Sequence, residues 1–122
     1  MIKIINNTIV IRVEGRDICV AAGELPTSGS RGCDSVMFLF SGDDWDGLEK
    51  SVVFWQSENE RYELPMGKCD ICEVPYEALR EDGYLNLGLI GRSGDVIQNS
   101  KVLVIPLCNG TRAGNAERVS GK

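Results

Sequence analysis

The chain has 122 residues, 43% of them hydrophobic, which is enough for one domain with its own core and too little for a second. Against 13 basic side chains stand 18 acidic ones; the stretch from Cys108 onward, with Arg112, Arg118 and Lys122 against Glu117, is +2, which leaves −7 of the net −5 on residues 1–107. So acidic a body repels a phosphate backbone and excludes nucleic acid as its partner, and the lack of any histidine removes the commonest general base and metal ligand.

Taken in chain order, Lys3, Asn6, Asn7 and Thr8 interrupt the apolar start, and no later run is long enough to cross a bilayer, so neither a leader nor a membrane anchor is expected. Thr8 to Glu14 alternates Ile9, Ile11 and Val13 with Val10, Arg12 and Glu14, the period of a strand with one buried face. Glu14 to Asp17 turns it and Asp17 to Ala21 returns, followed by a loop rich in turn formers from Gly23 to Gly32. Ser35 to Ser41 is apolar on both faces, as in a central strand of a packed sandwich.

Gly42 to Gly47 is a turn-forming cluster around Trp45, and Lys50 to Gln56 brings Val52, Val53, Phe54 and Trp55 into the next strand. Arg61 to Leu64 pairs back across a polar turn, and Cys69 to Val74 reads as another short strand. Pro75 to Arg80 opens with proline in front of helix formers, which predicts one short helical turn closed by Gly83. Tyr84 to Gly91 sets Leu85, Leu87 and Leu89 on one face, Arg92 to Asp95 turns, and Val102 to Leu107 is the last strand. Short strands at close spacing, without alternating helices, predict an all-β antiparallel sandwich or barrel over residues 1–107 and an extended C-terminal tail over 108–122.

No nucleophile elbow or phosphate-cradling glycine loop accompanies these elements, so no enzymatic activity, catalytic residue or cofactor is expected. Five cysteines, an odd number without a leader, fit a reducing cytosol with free and mostly buried thiols. Cys69 and Cys72 have C-x-x-C spacing, but in a strand they point to opposite faces, and no further cysteines at matching spacing complete a zinc site. Asp43, Asp44 and Asp46 lack the order of a calcium loop; a tight turn is expected, with aspartates bonding its own amides and Trp45 dropping into the core. A carbohydrate-binding module would require Trp55 or Tyr62 to face solvent beside polar groups.

From Ser28 to Leu107 a series of short stretches carries a resemblance. They are Ser28-Gly29-Ser30 with Cys33 to Val36, Phe40 through Trp45-Asp46-Gly47-Leu48, Lys50 to Phe54, Cys72-Glu73-Val74-Pro75-Tyr76-Glu77-Ala78-Leu79, Gly83, and Leu87 to Gly91. In this order they resemble the N-terminal domain of baseplate upper proteins and its relatives among tail and head accessory proteins of phages and prophages of Gram-positive bacteria. The resemblance implies an immunoglobulin-like β-sandwich, made in the host cytoplasm and built into a virion, with other virion proteins and copies of itself as partners. Trp45, Gly47, Phe54 and Pro75 are then structural anchors. Relatives of the baseplate type continue into coiled-coil or receptor-binding regions, whereas this sequence ends at Lys122. That departure points to a tail or baseplate accessory module or a capsid decoration protein, with Arg112, Arg118, Val119 and Lys122 in the tail as a candidate assembly arm.

Overall fold

Alternation decides the first strand. In β1 (Asn7–Glu14) the side chains of Ile9, Ile11 and Val13 turn inward and are buried. A two-residue loop leads into β2 (Asp17–Ala22), and its first position, Gly15, has φ +61°, the region that glycine enters without strain. The computed structural model describes residues 6–111, and these build an all-β sandwich of two antiparallel-rich sheets.

Across β1 from β2 lies β3 (Asp34–Ser41), in register from Asn7 opposite Asp34 to Glu14 opposite Ser41. This pair is parallel, a departure from the all-antiparallel expectation, because β2 has already brought the chain back to the start of β1 and the long connection over 23–33 carries it to the other side of β1 before β3 begins. The chain then crosses to the second layer as β4 (Glu49–Trp55) and β5 (Arg61–Pro65), returns to the first as β6 (Ile71–Glu73), and ends in the second with β7 (Tyr84–Ser93), β8 (Val96–Asn99) and β9 (Leu103–Pro106). The smaller sheet has the order β2-β1-β3-β6; the larger is β5-β4-β7, with β8 and β9 lying end to end along the far side of β7. Between the layers pack Val36 and Phe38 of β3, Val52 and Phe54 of β4, Leu85, Leu87 and Leu89 of β7 and Ile105 of β9, all buried. Burying each such side chain is worth about 1.5–3 kcal/mol relative to leaving it in water.

One residue ties three parts of the sandwich together at one end. Trp45, in the crossover between β3 and β4, donates its indole N–H to the carbonyl of Gly15 at 2.7 Å. Its ring lies 6.2 Å from that of Phe40 and packs under Gly91 of β7, where a Cβ would come within 3.0 Å of the indole and 2.8 Å of Leu48 Cδ1. Gly47, at φ +77°, turns the chain from this plug into β4. Phe54 is fully buried at the centre of β4.

The opposite end is closed by a 3₁₀ turn, Tyr76–Ala78, which follows Pro75 and buries Ala78 and Leu79. Leu79 O accepts the amide of Gly29 at 2.6 Å, and the buried hydroxyl of Ser28 donates to Asp82 at 2.6 Å while accepting the amide of Gly110 at 3.0 Å. Cys108 pairs with Thr27, so residues 108–110 are stitched to the body beyond Leu107. Arg112, Arg118, Val119 and Lys122 lie outside the described residues.

Two local expectations need correction. The strand expected over Cys69 to Val74 is reduced to β6, because Cys69 and Asp70 take φ of +59° and +57° in a tight reversal in which Gly67 N donates to Ile71 O. The short helical turn expected after Pro75 is present as Tyr76–Ala78, and a further 3₁₀ turn, Lys68–Asp70, precedes β6. The thiols are all free, but only Cys72 is buried; Cys19 lies on the edge strand β2, Cys69 in the reversal and Cys108 in the stitched segment, places with no second layer above them.

Trp45→Phe keeps most of the packing and removes the bond to Gly15, so it should cost about 2 kcal/mol in chemical denaturation. Gly91→Ala should destabilise by about 1–3 kcal/mol through overpacking against the indole. A second check concerns Asp34, which is buried and accepts a bond from Asn7 Nδ2 at 3.1 Å. Burial raises its carboxyl pKa, and the Asn7 bond only partly opposes this. A carboxyl raised in the fold favours the native state below its unfolded pKa, and that contribution is lost as pH rises through the folded value. Asp34→Asn should therefore raise the melting temperature at neutral pH, with the difference closing by about pH 3.

Candidate docking face

The outer face of a sandwich sheet is ordinarily polar. The larger sheet departs from this along β4, where Val52 and Phe54 point into the core while Val53 and Trp55 point out, yet Val53 is only 8% exposed and Trp55 only 5%. Charged residues of β5 cover them. Arg61, opposite Trp55 in the ladder, lays its guanidinium 4.2 Å from the centre of the indole, and it is paired in turn with Glu58. Glu63, opposite Val53, takes a forked bond from Arg92 at 2.6 and 3.4 Å, which holds its carboxyl below the ordinary glutamate range.

At the middle of β7, Gly88 stands opposite Val53 and contributes no side chain. The result is a hollow of about 500 Å³ with Val53 and Trp55 in its floor and Arg61, Glu63, Asn99 and Val102 in its walls. A second hollow of about 410 Å³ adjoins it past Asn86, lined by Gln56, Glu81, Tyr84 and Val104. Beside both runs an apolar rim. Of the nine large hydrophobic side chains exposed among the described residues, Tyr84, Val96, Ile97, Val102 and Val104 lie on β7, β8, β9 or the link between the last two.

The chemistry this face offers is limited. The ionisable walls of the larger hollow are Arg61 and Glu63, each engaged in an ion pair, so no free base or nucleophile faces the floor. Among the described residues no three cysteine, aspartate or glutamate side chains converge in a geometry that would hold a metal ion. The aspartate turn is closed by its backbone, Asp46 N donating to Asp43 O at 3.1 Å, and Asp44 O accepts Gln98 Nε2 at 3.1 Å. Trp45, Gly47, Phe54 and Pro75 are spread over the interior and the two ends, and none lies on this face. Tyr62, half-buried against the core, accepts a bond from Arg80 at 3.4 Å. Of the two aromatics that a sugar platform would require, Trp55 is closed to solvent and Tyr62 is half-buried.

The groove is built by residues the sequence reading passed over, chiefly Arg61, Gly88, Val102 and Val104. The available signal was Gly88 inside an otherwise apolar strand, a position where glycine marks close approach or a missing wall. A scan against protein-family models found no match, and searches of curated proteins and of solved structures found no significant one.

A Cβ at Gly88 would meet only Ser100 Oγ at 3.5 Å and Lys101 O at 3.9 Å, ordinary contact distances. Gly88→Ala should therefore raise stability by about 0.5–1 kcal/mol in thermal or chemical denaturation, since glycine in a strand interior is a cost. A loss of stability instead would mean that the empty position serves the fold and not the groove.

Proposed function

We propose that this chain is a non-enzymatic structural protein of a phage virion, an attachment or accessory module of the tail or baseplate that works through subunit contacts. The observation that carries the reading is the outer face of the larger sheet, where an apolar groove and an apolar rim are kept open on an otherwise acidic body. A sheet face of this kind is suited to cover by another protein surface. The closed ends of the sandwich and the ion-paired walls of the groove support a binding role over a catalytic one. The resemblance between Ser28 and Leu107 supplies the virion as the setting. Capsid decoration rests on the same contacts at a different place in the particle. A glycan-binding role is weaker, because a sugar stacking on Trp55 would first have to displace Arg61.

Particles purified by density gradient and probed with antibody against this chain are expected to carry it at a fixed ratio to the other virion proteins. Recovery of the chain only among unassembled proteins would contradict the reading. Removal of residues 112–122 is expected to leave the melting temperature of the body unchanged and to abolish recovery with particles; undiminished recovery would remove the tail from the assembly role.

A further inference from the structure

Where the last strand leaves the body, Asn109 is followed by Gly110. In this pairing an asparagine side-chain amide is most open to attack by the next backbone nitrogen, because glycine has no side chain to crowd the ring that forms. Asn109 is exposed, and its side chain makes no hydrogen bond among the described residues, so nothing in the fold calls for an asparagine there. Glycine at 110, by contrast, is required. A Cβ at that position would collide with Ser28 O and lie 3.0 Å from Thr27 Cγ2. The residue that the packing demands is thus the one that makes its neighbour labile.

One contact holds the attacking nitrogen back. Gly110 N donates to Ser28 Oγ at 3.0 Å, and that hydroxyl, on a residue only 1% exposed, donates in turn to Asp82 Oδ1 at 2.6 Å. While the bond is made, the Gly110 amide proton faces a buried hydroxyl instead of solvent, and its removal has to wait for a local opening. The stitch before it is separate, since Cys108 N donates to Pro26 O and Ser28 N to Cys108 O, both at 2.9 Å. Residue 108 can therefore stay fixed when residue 110 lets go.

We propose that Asn109-Gly110 is a site of spontaneous deamidation that the Ser28 hydroxyl restrains, and that the reaction permanently unlatches the chain beyond Cys108. When the bond to Ser28 opens, hydroxide removes the Gly110 amide proton and the nitrogen attacks Asn109 Cγ. The new N–Cγ bond closes a succinimide ring and the Cγ–Nδ2 bond breaks. Nδ2 takes a proton from water, regenerating hydroxide, and leaves as ammonia. Water then opens the ring at either imide carbonyl, giving aspartate or, with Cγ now in the main chain, isoaspartate. Amide and water become carboxylate and ammonium, with no oxidant or enzyme involved. Isoaspartate lengthens the backbone by a methylene just ahead of Gly110, so the close fit on Ser28 is not remade. It also adds a carboxylate to a body already of net negative charge. The chain that follows carries Arg112, Arg118 and Lys122 against Glu117, and the bond lost is the last one that ties its start to the body among the described residues. The reaction does not depend on the chain being part of a virion.

The test incubates the full chain and its Ser28→Ala variant at mildly alkaline pH and follows the peptide around residue 109 by mass spectrometry, with isoaspartate detection. The folded wild type is expected to react slowly, and the same chain held in denaturant at least roughly 10-fold faster. Folded Ser28→Ala should also react roughly 10-fold faster than the folded wild type, the factor that corresponds to one lost hydrogen bond. A folded wild type that reacts as fast as the denatured chain overturns the proposal, as does a Ser28→Ala chain that reacts no faster than wild type. Should Ser28→Ala fail to fold, amide exchange of Gly110 in the wild type decides. Protection supports the restraint, and exchange at the unfolded rate overturns it. The unlatching is read in the purified isoaspartate fraction, where Gly110 should exchange at the unfolded rate while Cys108 and Leu87 remain protected. Gly110 protected as in the unmodified chain would show that the latch recloses and would overturn the release.

Discussion

Sheet twist and interdigitating side chains set how the two layers pack, and at one end the constraint that ties both layers together is the indole of Trp45. Its ring contacts β3 through Phe40 and β7 through Gly91, and its N–H is spent on the β1–β2 loop. A buried indole N–H without an acceptor is a cost, so the bond to Gly15 fixes where the hairpin loop must lie. With that end locked and Pro75 to Leu79 covering the other, the inner faces are apolar but for Asp34 at the start of β3.

The outward row of the larger sheet at Val53 and Trp55 is shielded by long charged side chains whose stems and planar heads cover apolar surface while their charges are neutralised in pairs. The cover stops at Gly88. What remains is an apolar floor with fixed walls and an apolar rim alongside, on a body of net negative charge. The proposed binding surface and the acidic remainder are thus arranged on different parts of one sandwich.

The sequence made some of this legible and concealed the rest for physical reasons. Strict alternation in Ile9-Ile11-Val13 and in Leu85-Leu87-Leu89 reports a buried face, and those strands lie where alternation puts them. Alternation carries no direction, so the parallel pairing of β1 with β3 was invisible. β8 has Val96 and Ile97 exposed in succession, 58% and 64%, so it shows no period and was read past. Trp45 was recognisable as a plug between core strands, but its acceptor is 30 residues earlier in the chain and no spacing rule reaches it. Trp55 shows the limit most clearly. The run Val52-Val53-Phe54-Trp55 reads as uniformly buried, and it is, but half of it is buried by Arg61 and Glu63 on the outside of the sheet rather than by the core.

The central claim is that the chain works through the outer face and apolar rim of the larger sheet. Hydroxyl-radical footprinting of the free chain against the chain in purified particles tests it most directly, because the two sheets carry separate exposed reporters. Tyr84, Val102 and Val104 mark the proposed surface, while Leu39, half exposed on β3, marks the smaller sheet. Strong protection of the first three on assembly, with Leu39 unchanged, is the predicted result. Protection of Leu39, with Tyr84 and the two valines as reactive as in the free chain, would contradict the claim.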